Sequence, residues 1–285
     1  MVGTLFVVAT PIGNLEDITA RALRVLREVA VIAAEDTRRT SHLLTRYGIP
    51  TPTTSLHEHN ERSKTGALLA RLLAGESVAL VSDAGTPTVS DPGRYLIATA
   101  VQAGVKVEPI PGANAAVAAV SVSAMAGDAF TFLGFPPIRS KDRKEWMDRL
   151  VASGPVAVFY EAPHRIRQTL EEISRVVGDV EVLVARELTK VHEELVRGPI
   201  STVLARVSSP LGEFTVVVNL GLEVKPAVLD PGSEAGRRLI ADEFGHMTSI
   251  SGKTRRQAIS YIAKRYGVSA KAVYSAIEEA KFSGC

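Results

Sequence analysis

The chain has 285 residues, of which 46% are hydrophobic, with a formal charge of +2 and a single cysteine, Cys285. That length supplies one large or two medium domains with substantial cores. The small charge names no partner, and one cysteine excludes both an intrachain disulfide framework and a cysteine metal cluster. No Lys or Arg precedes Arg21, and no apolar run nears the ~20 residues of a membrane span, so a cytoplasmic protein without a membrane segment is expected.

The first third alternates strand and helix signals. Leu5 to Ala9 is a β-run that ends at Thr10-Pro11. Ala22, Val25, Leu26 and Val29 then recur at helical spacing behind a cap at Asp17 or Thr19. An apolar run, Val29 to Ala34, precedes a helical pattern over Arg38 to Tyr47 that stops at Gly48. The spacing predicts further helices over 63–74 and 93–103 and strands over Val78 to Val81 and Val105 to Ile110. This β-α order argues for a mainly parallel, helix-covered sheet.

After Pro111-Gly112 an alanine-rich segment runs over 113–126, and the pattern changes. β-runs or short ambiguous runs occur at Phe130 to Phe135, Val156 to Tyr160, Val180 to Ala185, Thr202 to Val207 and Thr215 to Leu220, with helical stretches near 141–151 and 164–177. This reads as a second α+β domain, followed by a linker from Lys225-Pro226 to Pro231-Gly232. Three helices are expected in the tail, over 234–244, 254–266 and 269–281, with Ser269 as a cap and Tyr261, Ile262 and Val273 as core. From Gly252 to Lys281 seven Lys or Arg face two Glu. The resulting division is 1–113, 114–225 and 226–285.

Four loops carry candidate chemistry at strand ends, where open parallel sheets bind ligands. TPIGN (10–14) pairs a proline without an N–H with a glycine that admits close approach; taken alone, an ordinary turn accounts for it. AEDTRRT (34–40) packs Glu35, Asp36, Arg38 and Arg39 at a strand-to-helix junction. A capped helix with local ion pairs accounts for that as well as phosphate holding does. SDAGTPTVSDPG (82–93) has two Asp, two Gly and two Pro in twelve residues, too rich for a plain connection; it lacks the dinucleotide fingerprint. PGANAA (111–116) places Gly112 and Asn114 at a fourth junction. In the second half, FYEAPHRI (159–166) and ARELTK (185–190) end β-runs with Glu161, Arg165, Arg186 and Lys190; solvated helix starts are the plain alternative. SGKT (251–254) resembles the end of a phosphate loop, but Met247 stands where the pattern needs glycine. The six histidines show no spacing that builds a zinc site, and no metal is expected.

The order of ATPIGNLEDIT, AEDTRRT, SDAGTPTVSDPG, PIPGANA, FTFLGFPP, FYEAPHRI and ARELTK over residues 3–222 resembles the bacterial ribosomal RNA small-subunit methyltransferase I family, within the tetrapyrrole methylase superfamily. The resemblance implies the two-domain α/β fold of class III methyltransferases with a C-terminal helical extension. It further implies S-adenosylmethionine as donor, transfer to the ribose 2′-oxygen of a decoding-centre cytidine in 16S ribosomal RNA, and a homodimer. Relatives carry Gly-Asp-Pro in the third loop; here it is Gly85-Thr86-Pro87. Pro11, Asp83, Ala84, Gly85, Thr86, Val89, Asn114 and Ala115 are expected to line the cofactor pocket, closed by Tyr160, Arg186 and Phe214. Glu161 and Asp83 are the candidates to take the acceptor's proton. Arg38, Arg39, Arg165 and Lys190 are expected to hold RNA phosphates, with Arg255 and Arg256 in the basic tail. A methyltransferase acting on a tetrapyrrole-like small molecule and a non-enzymatic RNA-binding or ribosome-assembly protein remain as alternatives; AEDTRRT with the basic tail speaks against the first, the elaborate loops against the second.

Overall fold

A computed structural model describes residues 1–125, 129–207, 211–221, 231–249, 254–266 and 268–282. They fall into two compact units, Met1–Asn219 and Leu220–Cys285; the linker expected over 225–232 lies largely outside the described residues.

The first unit holds two sheets. Its first sheet contains β1 (Thr4–Val8), β2 (Val31–Ala34), β3 (Thr53–Ser55), β4 (Val78–Val81) and β5 (Lys106–Ile110), all parallel, in the order β3-β2-β4-β1-β5. Between them run α1 (Ala20–Glu28), α2 (Thr37–Arg46), α3 (Glu61–Leu73) and α4 (Arg94–Gln102). The side chains of β4 alternate between two cores. Ala79 and Val81 pack with Val25, Leu26 and Leu44 of α1 and α2. Val78 and Leu80 pack with Leu68, Leu72 and Leu96 of α3 and α4. Both faces are thus covered, which is why VALV is an unbroken apolar run rather than an alternating one. The chain leaves β1 for α1 on one face and β4 for α4 on the other. Adjacent strands whose connections part in this way open a crevice at their carboxyl ends.

The second sheet is mixed. β6 (Thr131–Phe132), β7 (Val156–Glu161), β8 (Glu181–Arg186), β9 (Glu194–Pro199) and β10 (Phe214–Asn219) lie in the order β6-β7-β10-β8-β9, antiparallel except for β6 with β7. The alanine-rich α5 (Ala115–Ser123) packs Ala116, Ala119 and Val120 against Val158, Leu183, Ala185 and Val217 of this sheet. α6 (Ser140–Val151) brings Trp146 against Phe159 edge to face, while α7 (Ile166–Val177) buries Ile166, Thr169, Leu170 and Ile173. Two expectations need correction. Phe130 to Phe135 contributes only the two residues of β6. Thr202 to Val207 is mostly helix, α8 (Ile200–Arg206), and β3 and β9 were not anticipated.

The second unit comprises α9 (Glu234–Ser249), α10 (Arg255–Tyr266) and α11 (Ala270–Phe282). Ile240, Ala258, Ile262, Val273, Ala276 and Ile277 form its core. The Ser269 hydroxyl caps α11 by accepting from Ala272 N at 3.1 Å. Tyr261, expected inside, is 43% exposed.

Candidate active site

The crevice between β1 and β4 is held by paired backbone bonds: Thr10 N donates to Gly85 O at 2.9 Å and Gly85 N to Thr10 O at 3.0 Å. Gly85 sits at φ +77°, and a Cβ there would meet Ile12 at 3.3 Å; the turn therefore needs glycine. The ends of β2 and β4 are cross-tied as well. Asp83 Oδ1 accepts from Asp36 N at 2.9 Å, and Glu35 Oε2 accepts from Asp83 N at 3.2 Å. Asp36 caps α2 by accepting from Arg38 N at 2.8 Å. The first sheet also latches onto the second, since Asn14 N donates to Thr189 Oγ1 at 2.9 Å. Gly13 lies so close that a Cβ would come within 2.5 Å of the Lys190 side chain.

Above these ends lies a cavity of about 390 Å³, within the range of small-molecule sites. Ala84, Gly85, Thr86 and Val89 line one wall with Asn114 and Ala115; Tyr160, Leu188, Phe214 and Thr215 of the second sheet line the other. Glu35, Asp83 and Asp91 stand at its acidic end beside Arg39. The lining suits a sulfonium nucleoside: apolar and aromatic surface for the base, and the first amides of α5 for a carboxylate. An adjoining cavity of about 210 Å³ is lined by Pro11, Gly13, Arg39, His42, Lys190 and Glu213, among others.

The electrostatics of the acidic end follow from crowding. Burial pushes the Asp91 carboxyl up to about 6, helped by the charges of Glu35 and Asp83 and opposed by a hydrogen bond from Ser82. Burial likewise raises Glu35, against the bond from the Asp83 amide. Asp36 is held down to about 2 by its hydrogen bonds from the Arg38 side chain and amide. The Tyr160 hydroxyl is raised by burial while bonded to the Ala116 backbone.

The expected residues divide by location. Asp83, Ala84, Gly85, Thr86, Val89, Asn114, Ala115, Tyr160 and Phe214 meet around the main cavity. Pro11 borders the adjoining one. Arg186 is turned to the Leu211 carbonyl and Glu194. Glu161 lies in the cavity wall but is 1% exposed, and both oxygens are engaged, by Ala162 N at 2.8 Å and Thr169 Oγ1 at 2.5 Å, with Arg165 beside them. Arg165 donates to the Pro136 carbonyl. Arg38 pairs with Asp36 at the surface, whereas Arg39 borders both cavities. Lys190 is bonded to Glu187 and Glu213, each at 3.0 Å. Arg255 stacks over Phe244 and Tyr274 and pairs with Glu278, and Arg256 is exposed. Glu35, Asp91, Phe135 and Leu188 also line the cavity without having been singled out for it. Glu35 and Asp91 lay inside two motifs, and their signal was an acid one or two residues from a glycine or a cap at a strand end.

This frame, a doubly covered parallel sheet latched to a mixed one around a strand-end cavity, is that of a tetrapyrrole methylase. The family model for Tetrapyrrole (Corrin/Porphyrin) Methylases matches residues 4–204. The solved uroporphyrin-III C-methyl transferase from Thermus thermophilus, complexed with S-adenyl homocysteine, shares the fold at a TM-score of 0.56 and 17% identity, over 76% of this chain and 97% of that one. The ribosomal RNA small subunit methyltransferase I of Halalkalibacterium halodurans is 44% identical over 79% of this chain and 78% of its own. That of Bacillus subtilis is 41% identical over 96% and 94%. The chain belongs to the ribosomal RNA small subunit methyltransferase I family.

Proposed function

We propose that the protein transfers the methyl group of S-adenosylmethionine to the ribose 2′-oxygen of a decoding-centre cytidine in 16S ribosomal RNA, working as a cytoplasmic homodimer. The observation that carries this reading is the composite cavity: an apolar and aromatic wall continuous with an acidic end, beside an adjoining cavity lined by Arg39, His42 and Lys190 with Asp83 and Glu213. The apolar wall suits the donor, and Arg39 and Lys190, on exchanging Asp83, Glu187 and Glu213 for phosphate, suit a phosphate-bearing acceptor. The sulfonium methyl arrives already activated, so the protein's contribution is alignment of the acceptor oxygen and exclusion of water. Ala84, Gly85, Thr86, Val89, Asn114 and Ala115 hold the donor from the first sheet, and Tyr160 and Phe214 from the second. Arg39 and Lys190 face the flanking phosphates, and the helical tail with Arg256 adds sequence-independent affinity.

The test is a map of 2′-O-methylation on small-subunit RNA from cells with and without the protein, with purified subunits and a porphyrinoid as parallel acceptors in vitro. One cytidine that loses its methyl group in the deletion and regains it in vitro is the expected result. An unchanged RNA map with methylation of the porphyrinoid overturns it. Sedimentation equilibrium decides the homodimer: twice the chain mass is expected.

A further inference from the structure

Three carboxylates reach the acidic end of the cavity, and two are already employed. Asp83 accepts the Asp36 amide and stands 3.5 Å from Arg39 Nη1. Glu35 accepts the Asp83 amide. Among the described residues Asp91 has the Ser82 side chain beside it, whose hydroxyl also donates to the Ala84 carbonyl at 3.3 Å, and Asp91 lines the cavity together with Val89, Ser90 and Tyr160.

The loop that presents Asp91 is built at a cost. Thr88 and Ser90 both take φ +70°, a left-handed conformation that a β-branched residue adopts only when its surroundings enforce it. Enforcement comes from the far side. Glu61 Oε1 accepts from Gly93 N, Tyr95 N and Leu96 N at 3.1, 2.8 and 3.2 Å, pinning the start of α4 to α3. Gly93 has φ +118°, and a Cβ would lie 2.5 Å from a Leu80 methyl carbon. A plain connection from β4 to α4 needs none of this; a fixed side chain in the cavity does.

We propose that Asp91 is a catalytic residue that receives the acceptor's proton. The inference rests on the ribose-methylation reading above. In the step, the ribose O–H bond breaks and its proton passes to an Asp91 oxygen. The oxygen forms a bond to the methyl carbon, the carbon–sulfur bond breaks, and its electron pair stays on sulfur as the neutral thioether. Asp91 then releases the proton to water. A base that ionises near neutral pH is matched to this task. The groups facing Asp91 are Glu35 just after β2, Ser82 and Asp83 just after β4, and Tyr160 of β7, with Arg39 of α2 beside the two acids. Glu61 holds the next turn.

The experiment compares wild type, D91N, D91E and E161Q in single-turnover methylation of small-subunit RNA across a pH series, with S-adenosylmethionine affinity by calorimetry and melting temperature on the same samples. Wild type should lose activity as pH falls through about 6. D91N should be slower by about a hundredfold at neutral pH, lose that acidic limb and quicken at high pH, while D91E recovers part of the rate. Cofactor affinity should stay within roughly threefold of wild type, so that the defect lies in chemistry and not in binding. The inference is overturned if D91N keeps the rate and the limb, if cofactor affinity falls in step with rate, or if E161Q alone removes the limb. A wild type that leaves every ribose unmethylated overturns the acceptor reading itself; a wild type that methylates beside an unimpaired D91N overturns only the role of Asp91.

Discussion

Asp91 and Glu161 are both acids of the cavity wall, and opposite surroundings give them opposite work. Asp91 ionises against burial and two neighbouring carboxylates, so its raised value has a consequence for stability. An unfolded aspartate ionises near 3.9, so between about 4 and 6 the folded chain holds more protons than the unfolded one. The contribution of Asp91 is therefore complete below that window and is lost as pH rises through it. D91N should melt higher than wild type at pH 7, and the gap should close below pH 4 in a pH series of thermal scans. Glu161 is instead fully satisfied by Ala162, Thr169 and Arg165. Removing it leaves the half-buried Arg165 and the buried Thr169 without that carboxylate, and E161A should cost about 3 kcal/mol in urea denaturation, whatever it does to turnover.

Among the elements, the loop after β4 is the one whose geometry admits fewest sequences. Gly85→Val would force a positive φ on a branched residue and push its side chain toward Ile12 and the Ala113 carbonyl. We expect it to abolish S-adenosylmethionine binding in calorimetry while near-native circular dichroism shows the sheet intact. Four of the five parallel strands and the four motif-bearing loops were legible because apolar runs and Gly, Pro and Asp punctuation coincide there. Thr202 to Val207 was misread because Thr202, Val203 and Val207 are β-branched. Their intrinsic preference loses to packing, since Ile200 and Val203, three apart on one helical face, are both fully buried. β3 escaped notice as three half-buried residues, and β9 because charge and glycine interrupt it. Within the site, sequence order could not tell a free acid from a bonded one. Asp83 and Glu161 look as available as Asp91 until the amides and hydroxyls around them are placed.

For the whole molecule, the division after Asn219 separates the cavity from the tail. Among the described residues, those that border either cavity lie within 1–219, while the tail has its own apolar core of Ile240, Ile262, Val273 and Ile277. A chain ending at Asn219 should keep its cofactor affinity, bind small-subunit RNA more weakly and show a shallower dependence of that binding on salt, measured by filter binding at several ionic strengths. Equal RNA affinity at all salts for the short and full chains would remove the tail from recognition.

The place of β10 in its sheet has a temporal meaning. It is the last strand of the first unit, yet it lies between β7 and β8 rather than at an edge, and Phe214 and Thr215 complete the cavity wall. On the ribosome, the parallel sheet can close once β5 has emerged, whereas β7 and β8 must each wait with an unpaired side until residue 219 leaves the exit tunnel. A chain that ends before β10 is therefore expected not to bind the donor. This enzyme of ribosomal RNA gains its substrate pocket only after Phe214 and Thr215 have joined β7 and β8.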